Sequence, residues 1–149
     1  MKKTILAIFM SLIFVIACGE DADSTGTAKI TVNGVDFNKS VACSTTPGDS
    51  LVISIGATDS DGNTISIDGD LSKDGDNYKH VDGDAFSVMY TEGVASQYSA
   101  SEDDGGTFTG NFDGKVVKLS FEVDAKLNGI GTTKHLKGDI VCTPGGATD

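Results

Sequence analysis

Oxygen-bearing side chains recur at short, regular spacing in one stretch of the chain. Asp59, Asp61 and Asn63 occupy positions one, three and five of a calcium-loop pattern, and Asp70 falls at position twelve. Closely spaced oxygen ligands are what Ca²⁺ requires. However, Thr64 stands where such loops have glycine, and Asp70 stands where they have glutamate. Turn chemistry explains the same residues, so the sequence predicts a hairpin turn and leaves calcium binding as the alternative.

The other titratable side chains form no recognisable catalytic arrangement. Glu102, Asp103 and Asp104 precede two glycines, and we expect them in a turn between strands rather than as paired catalytic carboxylates. His80 and His135 lie in polar surroundings, so we expect both at the surface. Because the sequence contains neither a Ser-His-Asp arrangement nor a nucleophile elbow, the chain is predicted not to be an enzyme.

Cys18 follows an apolar leader. Two lysines precede an apolar run of about twelve residues, 5–16, which is shorter than the roughly 20 residues of a transmembrane helix. This layout is typical of a signal peptide, so we predict that residues 1–17 are removed. Residues 15–18, Val-Ile-Ala-Cys, resemble the lipobox of bacterial lipoproteins. The resemblance implies that Cys18 becomes the first residue and carries acyl chains such as palmitate.

The predicted modification of Cys18 implies a location. Two or three acyl chains hold a protein stably at a membrane, since each buried methylene contributes about 0.8 kcal/mol. We therefore expect a lipid anchor in the cell envelope. Gly19 follows the cysteine, which by resemblance to the sorting rule of enteric bacteria implies the outer membrane if the host has one. The alternative is an ordinary signal peptide followed by an unmodified cysteine.

With Cys18 acylated, one pair of cysteines remains, Cys43 and Cys142. We predict that they form a disulfide, because an exported chain folds in an oxidising compartment. A loop of this length corresponds to roughly 4.7 kcal/mol in the chain-entropy model. The alternative, two free or metal-binding thiols, lacks support from any CxxC or Cys-His spacing.

Charge separates the chain from nucleic-acid-binding proteins. Residues 1–17 contain two of the 11 lysines and none of the 22 acidic residues, and the chain has no arginine. The remainder therefore has nine lysines against 22 acidic residues, a net charge of about −13, whereas nucleic-acid phosphates need clustered lysine and arginine. The same charge disfavours contact with anionic lipid, so we expect membrane attachment through acylated Cys18.

The chain after the leader is predicted to contain one domain. Residues 18–27 are acidic and small, which is typical of a flexible tether. Residues 28–145 carry strand patterns and are predicted to form a single β domain, and residues 146–149 a disordered tail. The length of this part fits one domain with a modest core.

Alternating apolar side chains predict strands throughout that domain. Asn33-Gly34 predicts a hairpin turn between the first two strands, of which the second extends to Cys43. Residues 115–127 have the clearest alternation, whereas residues 68–84 are rich in Asp, Gly and Ser and predict a long surface excursion. Further strands are predicted at residues 51–56, 65–67, 85–91, 94–101, 107–112 and 136–142, with a loop at 128–135. Eight or nine short strands predict an all-β fold, a small antiparallel β-sandwich or partly closed barrel.

Several short fragments of the chain follow one another in a recognisable order. They are residues 29–34, Lys-Ile-Thr-Val-Asn-Gly; 41–46, Val-Ala-Cys-Ser-Thr-Thr; 90–93, Tyr-Thr-Glu-Gly; 99–101, Ser-Ala-Ser; 108–110, Phe-Thr-Gly; and 141–142, Val-Cys. With the lipobox, they resemble the mycobacterial nineteen-kilodalton lipoprotein antigen family over most of residues 28–143. The resemblance implies an envelope-anchored β-rich antigen and adhesin without enzymatic chemistry. Family members have a longer, Ser/Thr-rich, glycosylated tether, whereas this tether is short and acidic.

These features together predict a non-enzymatic, membrane-anchored envelope lipoprotein that displays a disulfide-tied β domain. Its expected partners are the membrane, through acylated Cys18, and a protein or host surface, but not nucleic acid. Two alternatives remain. The acidic loops would make the domain a calcium-dependent binding module, and a cavity inside the sheet would make it a carrier of an apolar ligand.

Overall fold

The computed structural model describes residues 25–37, 41–128 and 131–145. Cys18, the predicted signal peptide and the predicted tail lie outside the described residues. Within them the chain is almost entirely β-strand, with one short 3₁₀ helix, which confirms the all-β class. The strands are β1 Thr25–Val32, β2 Val35–Asp36, β3 Val41–Thr46, β4 Leu51–Thr58, β5 Thr64–Asp74, β6 Asn77–Lys79, β7 Phe86–Glu92, β8 Ser96–Ser101, β9 Thr107–Phe112, β10 Val117–Leu127 and β11 Thr133–Thr143. The 3₁₀ helix is Glu102–Asp104.

Short elements account for the difference between these eleven strands and the predicted eight or nine. β2 has two residues and β6 has three, too few to show an alternating pattern. The predicted second strand, ending at Cys43, is two elements, β2 and β3. β1 begins at Thr25, within the stretch predicted as tether, and β11 begins at Thr133, within the predicted loop.

The prediction of a surface excursion over residues 68–84 was wrong. β5 continues to Asp74, and β6 follows after a tight turn. Leu71 is fully buried, in alternation with Ile65 and Ile67, while Asp68 and Asp70 point outward. The glycine at the inward position between Ile67 and Leu71 interrupts the apolar pattern, and the outward aspartates make the segment resemble a loop.

The strands pair antiparallel in one sheet, in the order β2-β1-β11-β10-β8-β7-β5-β4-β3. β10 pairs with β11 along one edge, and its other edge pairs first with β9 and then with β8. β6 pairs with both β5 and β9. As a result β10, β8, β7, β5, β6 and β9 form a partial ring, which agrees with the predicted sandwich or partly closed barrel.

Alternate residues of the long strands form the core. In β10 the inward side chains are those predicted from the sequence: Val117, Leu119, Phe121, Val123 and Ala125 are buried, and Leu127 packs partly buried against them. None of the described polar or charged residues is buried. Within the same residues, no helix is long and apolar enough to span a membrane.

Two glycines let phenylalanine rings pack closely against the backbone inside the core. A Cβ atom added at Gly69 in β5 would overlap the ring of Phe86, and one added at Gly138 in β11 would overlap the ring of Phe121. Both pairs face each other across neighbouring strands. The close packing of the interior therefore requires glycine at both positions.

The predicted Asn33-Gly34 turn is confirmed. Both residues have positive φ values, 51° and 78°, as a type I′ hairpin turn requires. Val32 pairs with Val35 across the turn. The Asn33 side chain also accepts a 2.8 Å hydrogen bond from the His135 amide, which fixes the hairpin against β11.

Candidate functional site

The two cysteines paired from the sequence are joined by a disulfide. Cys43 lies in β3 and Cys142 near the end of β11, and both are buried. β3 and β11 are not hydrogen-bonded neighbours in the sheet. The disulfide therefore connects β11, the last strand of the chain, to β3, which lies at one end of the strand order. Its function in the structure is to hold the domain together.

The acidic turn between β4 and β5 is held by its own hydrogen bonds. Asp59 Oδ1 accepts the amides of Asp61 and Asn63, both at 2.9 Å, and Asp59 Oδ2 accepts the Asn63 side-chain amide at 2.8 Å. Asn63 Oδ1 accepts the Gly93 amide at 3.0 Å. Asp70, the remaining calcium candidate, lies on β5. Among the described residues, no group of three or more His, Cys, Asp or Glu side chains is arranged to hold a metal ion.

His80 is not the surface residue predicted from the sequence. Its side chain is only 9% exposed and packs edge-on against Phe86, with ring centroids 5.5 Å apart. The His80 amide donates a hydrogen bond to the Gly110 carbonyl, which continues the pairing of β6 with β9. Nε2 lies 3.7 Å from Glu102 Oε1, and Nδ1 has no hydrogen-bond partner within the described part of the chain.

His135 is at the surface, as predicted. It lies between two carboxylates on β10, with Nδ1 2.9 Å from Asp124 Oδ1 and Nε2 3.3 Å from Glu122 Oε1. Lys137 donates to the other oxygen of Glu122 at 2.8 Å. The hydrogen bond and charge of Lys137 lower the pKa of Glu122, so this carboxylate is ionised at neutral pH.

The acidic segment 102–104 serves as the predicted turn. Asp104 accepts hydrogen bonds from the Ser101 amide and hydroxyl, both at 3.0 Å, and from Lys126 at 3.1 Å. The Ser101 amide contributes most to lowering the pKa of Asp104, followed by Lys126. An ionised, hydrogen-bonded carboxylate is a poor general acid, which supports the structural interpretation of these residues.

Lys134 closes one end of the core. Its ammonium lies 2.7 Å from Glu92 and over the rings of Tyr98 and Tyr90, at 5.2 and 5.7 Å from their centroids. The hydrogen bond from Lys134 to Glu92 raises the pKa of the lysine. Lys134 therefore stays protonated at neutral pH, and its contacts are those of a packing residue rather than a nucleophile.

An open groove with a volume of about 620 Å³ lies on the outward side of four adjacent strands, β9, β10, β11 and β1. The register places its outward side chains in two rows, Lys29, Asp139, Ser120 and Thr109 in one and Thr27, Val141, Lys118 and Asn111 in the other. Ser120 donates a 2.7 Å hydrogen bond to Asp139. The outward side chains of β11, Asp139 and Val141, thus lie between Lys29 on β1 and Lys118 on β10.

Sequence reasoning missed this groove, because it depends on which strands are neighbours. The alternation in residues 115–127 and 136–142 identifies the outward side chains of β10 and β11. It gives no indication that β1, from the other end of the domain, pairs with β11 over its whole length. Only that pairing brings Lys29 beside Asp139.

The chain matches the model of a known protein family. The family model of the Mycobacterium 19 kDa lipoprotein antigen matches residues 21–128, more than two thirds of the chain. No curated protein and no solved structure matches the chain significantly. The matched residues include every described strand from β1 to β10, in agreement with the resemblance seen in the sequence. The chain therefore belongs to the Mycobacterium 19 kDa lipoprotein antigen family.

Proposed function

We infer that the protein is a non-enzymatic envelope lipoprotein, anchored through acyl chains on Cys18, that displays its β domain as an antigen or adhesin. The family of lipoprotein antigens supports the general class. The observation that carries the proposal is the position of β1, which begins at Thr25, seven residues after Cys18. An extended segment of that length spans at most about 25 Å, so the anchor keeps the domain close to the membrane.

The direction of β1 orients the domain relative to this anchor. Thr25 pairs with Thr143, so the ends of β1 and β11 lie together at the proximal end of the domain. The turns at residues 33–34, 59–63 and 93–95 lie at the other end of their strands, roughly 25 Å away for an eight-residue strand. These distal turns face away from the membrane and are the surface that a protein or host-surface partner would contact first.

Hydrogen bonds hold the distal turns in place. The Gly93 amide donates to Asn63 Oδ1, which joins the β7–β8 turn to the β4–β5 turn. The Asn33 amide donates to the His135 carbonyl at 2.7 Å. A surface held in one conformation binds a partner without a large ordering cost, which is consistent with display as its purpose.

Mass spectrometry of the intact protein, extracted from the membranes of an expressing bacterium, tests the anchor. We expect a chain that begins at Cys18 and carries the added mass of its acyl chains. A Cys18→Ser variant should lack that mass and leave the membrane fraction, while its thermal midpoint stays unchanged because the domain is intact. A wild-type mass equal to an unacylated Cys18 terminus would refute the proposal.

A thermal melt distinguishes a calcium-dependent binding module from a domain displayed as an antigen or adhesin. Protein donors already occupy both carboxylate oxygens of Asp59, so we expect the same midpoint in EDTA and in Ca²⁺. A midpoint that rises with Ca²⁺, and not with Mg²⁺, would favour the binding module instead. Asp61→Asn serves as the matched variant, since it should abolish any such rise.

A further inference from the structure

The groove lining includes two lysines, Lys29 and Lys118. Among residues 25–37, 41–128 and 131–145, Lys29 and Lys118 make no ion pair within 4.0 Å. Four other described lysines do make one, Lys79, Lys126, Lys134 and Lys137, whereas Lys73 and Lys115 do not. Acidic residues outnumber lysines by 22 to 11 in this chain. Two unpaired ammonium groups on one concave surface are therefore available to an anion from outside the domain.

We propose that the groove binds an anionic oligosaccharide. Lys29 and Lys118 supply charged donors for a carboxylate, sulfate or phosphate group on the sugar. Thr27, Thr109 and Asn111 supply hydroxyl and amide groups, and Asp139 supplies an acceptor for sugar hydroxyls. The volume of about 620 Å³ is within the range of small-molecule sites.

An apolar contact completes this chemistry. Val141 lies in the row between Thr27 and Lys118 and is 44% exposed. Its methyl groups can pack against the C–H face of a sugar ring, while the hydroxyls around the ring reach the polar side chains on either side. A site of this composition favours a ligand that combines charge, hydroxyls and a small apolar face.

The position of the groove argues against a peptide ligand. Extended peptides bind to sheet edges, where backbone groups are free to pair. Here β10 and β11 form the centre of the groove, and their backbone groups already pair with β9 and β1 on either side. Recognition must therefore come from side chains alone, and these offer hydroxyl, amide, ammonium and carboxylate groups rather than an apolar pocket for peptide side chains.

The site is a property of the folded domain and does not depend on acylation of Cys18. The negative charge of the whole chain opposes an anion only over a limited distance, since the Debye length is about 8 Å at physiological ionic strength. Within that distance the groove lining contains two lysines and one aspartate. We therefore expect binding to weaken as salt is raised, without being abolished.

The experiment uses the full chain, extracted in detergent from the membranes of an expressing bacterium, and probes it with an array of short uronate-bearing, sulfated and phosphorylated oligosaccharides printed beside their neutral parents. We expect at least one acidic sugar to be retained over its parent, and its affinity is then measured by calorimetry. Lys29→Gln/Lys118→Gln should weaken that affinity about tenfold or more, through loss of charge-assisted hydrogen bonds. The control Lys73→Gln/Lys79→Gln removes the same charge from β5 and β6 and should leave the affinity unchanged.

A third variant separates sugar recognition from simple charge attraction. Asp139→Ala removes an acceptor for hydroxyls, so it should weaken the saccharide while leaving inorganic sulfate bound as before or more tightly. The proposal is overturned if no acidic sugar is retained over its neutral parent, or if sulfate alone binds as tightly as the best sugar. It is also overturned if an acidic peptide of residues 19–24 binds as tightly, or if both double variants lose the same affinity. Thermal midpoints of all variants identify any loss due to unfolding.

Discussion

Two groups of strands in the sheet bury apolar side chains in the same alternating pattern, but the side chains on their outer surfaces differ in chemistry. The lysine face is the outward side of β1, β11, β10 and β9. The serine face is the outward side of β3, β4, β5, β7 and β8. The lysine face carries Lys29, Lys118, Lys126 and Lys137, with Glu122, Asp124 and Asp139 between them. The alternating outward positions on the five strands of the serine face hold no lysine, and the one lysine on these strands is the exposed Lys73 near the end of β5.

Small polar side chains replace charge on the serine face. One row across it consists of Ser44, Ser54, Asp68, Ser87 and Ser101. The next row consists of Ala42, Gly56, Ser66, Met89 and Ser99. Because both faces fold on the same alternation of buried residues, the fold does not dictate where the lysines lie. Two of the four lysines, Lys29 and Lys118, line the groove, and ligand binding is the explanation that we propose for their position.

The largest effect should come from cutting the link between the two faces. The disulfide joins β3 of the serine face to β11 of the lysine face across 99 residues of sequence. We expect Cys43→Ala/Cys142→Ala to lower the free energy of unfolding by about 2 to 5 kcal/mol, measured by denaturant titration. Reduced wild-type protein should unfold at the same denaturant concentration as the variant. An unchanged midpoint in both would mean that the strand pairings alone hold the faces together.

The next largest effect tests whether the core is packed equally closely behind the serine face and behind the lysine face. Gly69→Ala and Gly138→Ala place a Cβ atom in the rings of Phe86 and Phe121 respectively. We expect each to cost about 1 to 3 kcal/mol through overpacking. Gly56→Ala in β4 is the matched control, since a Cβ there meets nothing within 4 Å. The free energy of unfolding of Gly56→Ala should stay near the wild-type value. If all three variants lose the same free energy of unfolding, the cause is a loss of strand flexibility and not overpacking.

How far the sequence predicts these features depends on the range of the contacts involved. The alternation of β10 and the Asn33-Gly34 turn are encoded locally, and both were predicted correctly. The second half of β5 was not predicted as strand because Gly69, required by the ring of Phe86, interrupts the alternating apolar pattern. The need for that glycine appears only when Phe86, 17 residues later in the chain, is known to lie opposite it.

The candidate site was less predictable for the same reason. The pairing of Cys43 with Cys142 followed from counting cysteines, without any knowledge of strand order. The groove requires the pairing of β1 with β11, two strands at opposite ends of the domain. The burial of His80 requires β6 to pair with β9. The pattern of a single sequence does not reveal which distant strands pair. It does reveal that the lysines lie at outward positions of their strands.

A third, smaller effect concerns the connection between β6 and β7, where Asp84 bonds back to β5. Asp84 accepts hydrogen bonds from the Ser72 hydroxyl at 2.7 Å and from the Ser72 and Val81 amides at 3.1 and 3.0 Å. Burial acts to raise the pKa of Asp84, but these hydrogen bonds outweigh it and hold the pKa below the usual 3.8. We expect Asp84→Ala to cost about 1 kcal/mol at neutral pH, measured by denaturant titration.

The pH dependence of this loss follows from the lowered pKa. The ionised carboxylate contributes stability above pH 3.8, and the contribution disappears as the pH falls through the lower pKa of the folded protein. The stability difference between wild type and variant should therefore shrink in that acidic range. Ser54→Ala, which removes a single hydrogen bond to Asp68 on the serine face, is the control. A constant difference down to pH 2 would show that Asp84 acts through packing instead.

The smallest effect separates charge from stability on the lysine face itself. The Lys137 hydrogen bond and charge lower the pKa of Glu122, and both side chains are about half exposed, at 57% and 45%. Exposed pairs of this kind contribute little to folding. In Lys137→Gln we therefore expect the pKa of Glu122 to rise toward its usual 4.5, as measured by an NMR titration of its side chain, with no resolvable change in the thermal midpoint. Wild-type protein in high salt should show a shift in the same direction, since salt screens the pair. A large drop in the midpoint would mean that the fold requires Lys137, and would contradict the view that the lysines of this face are placed independently of folding.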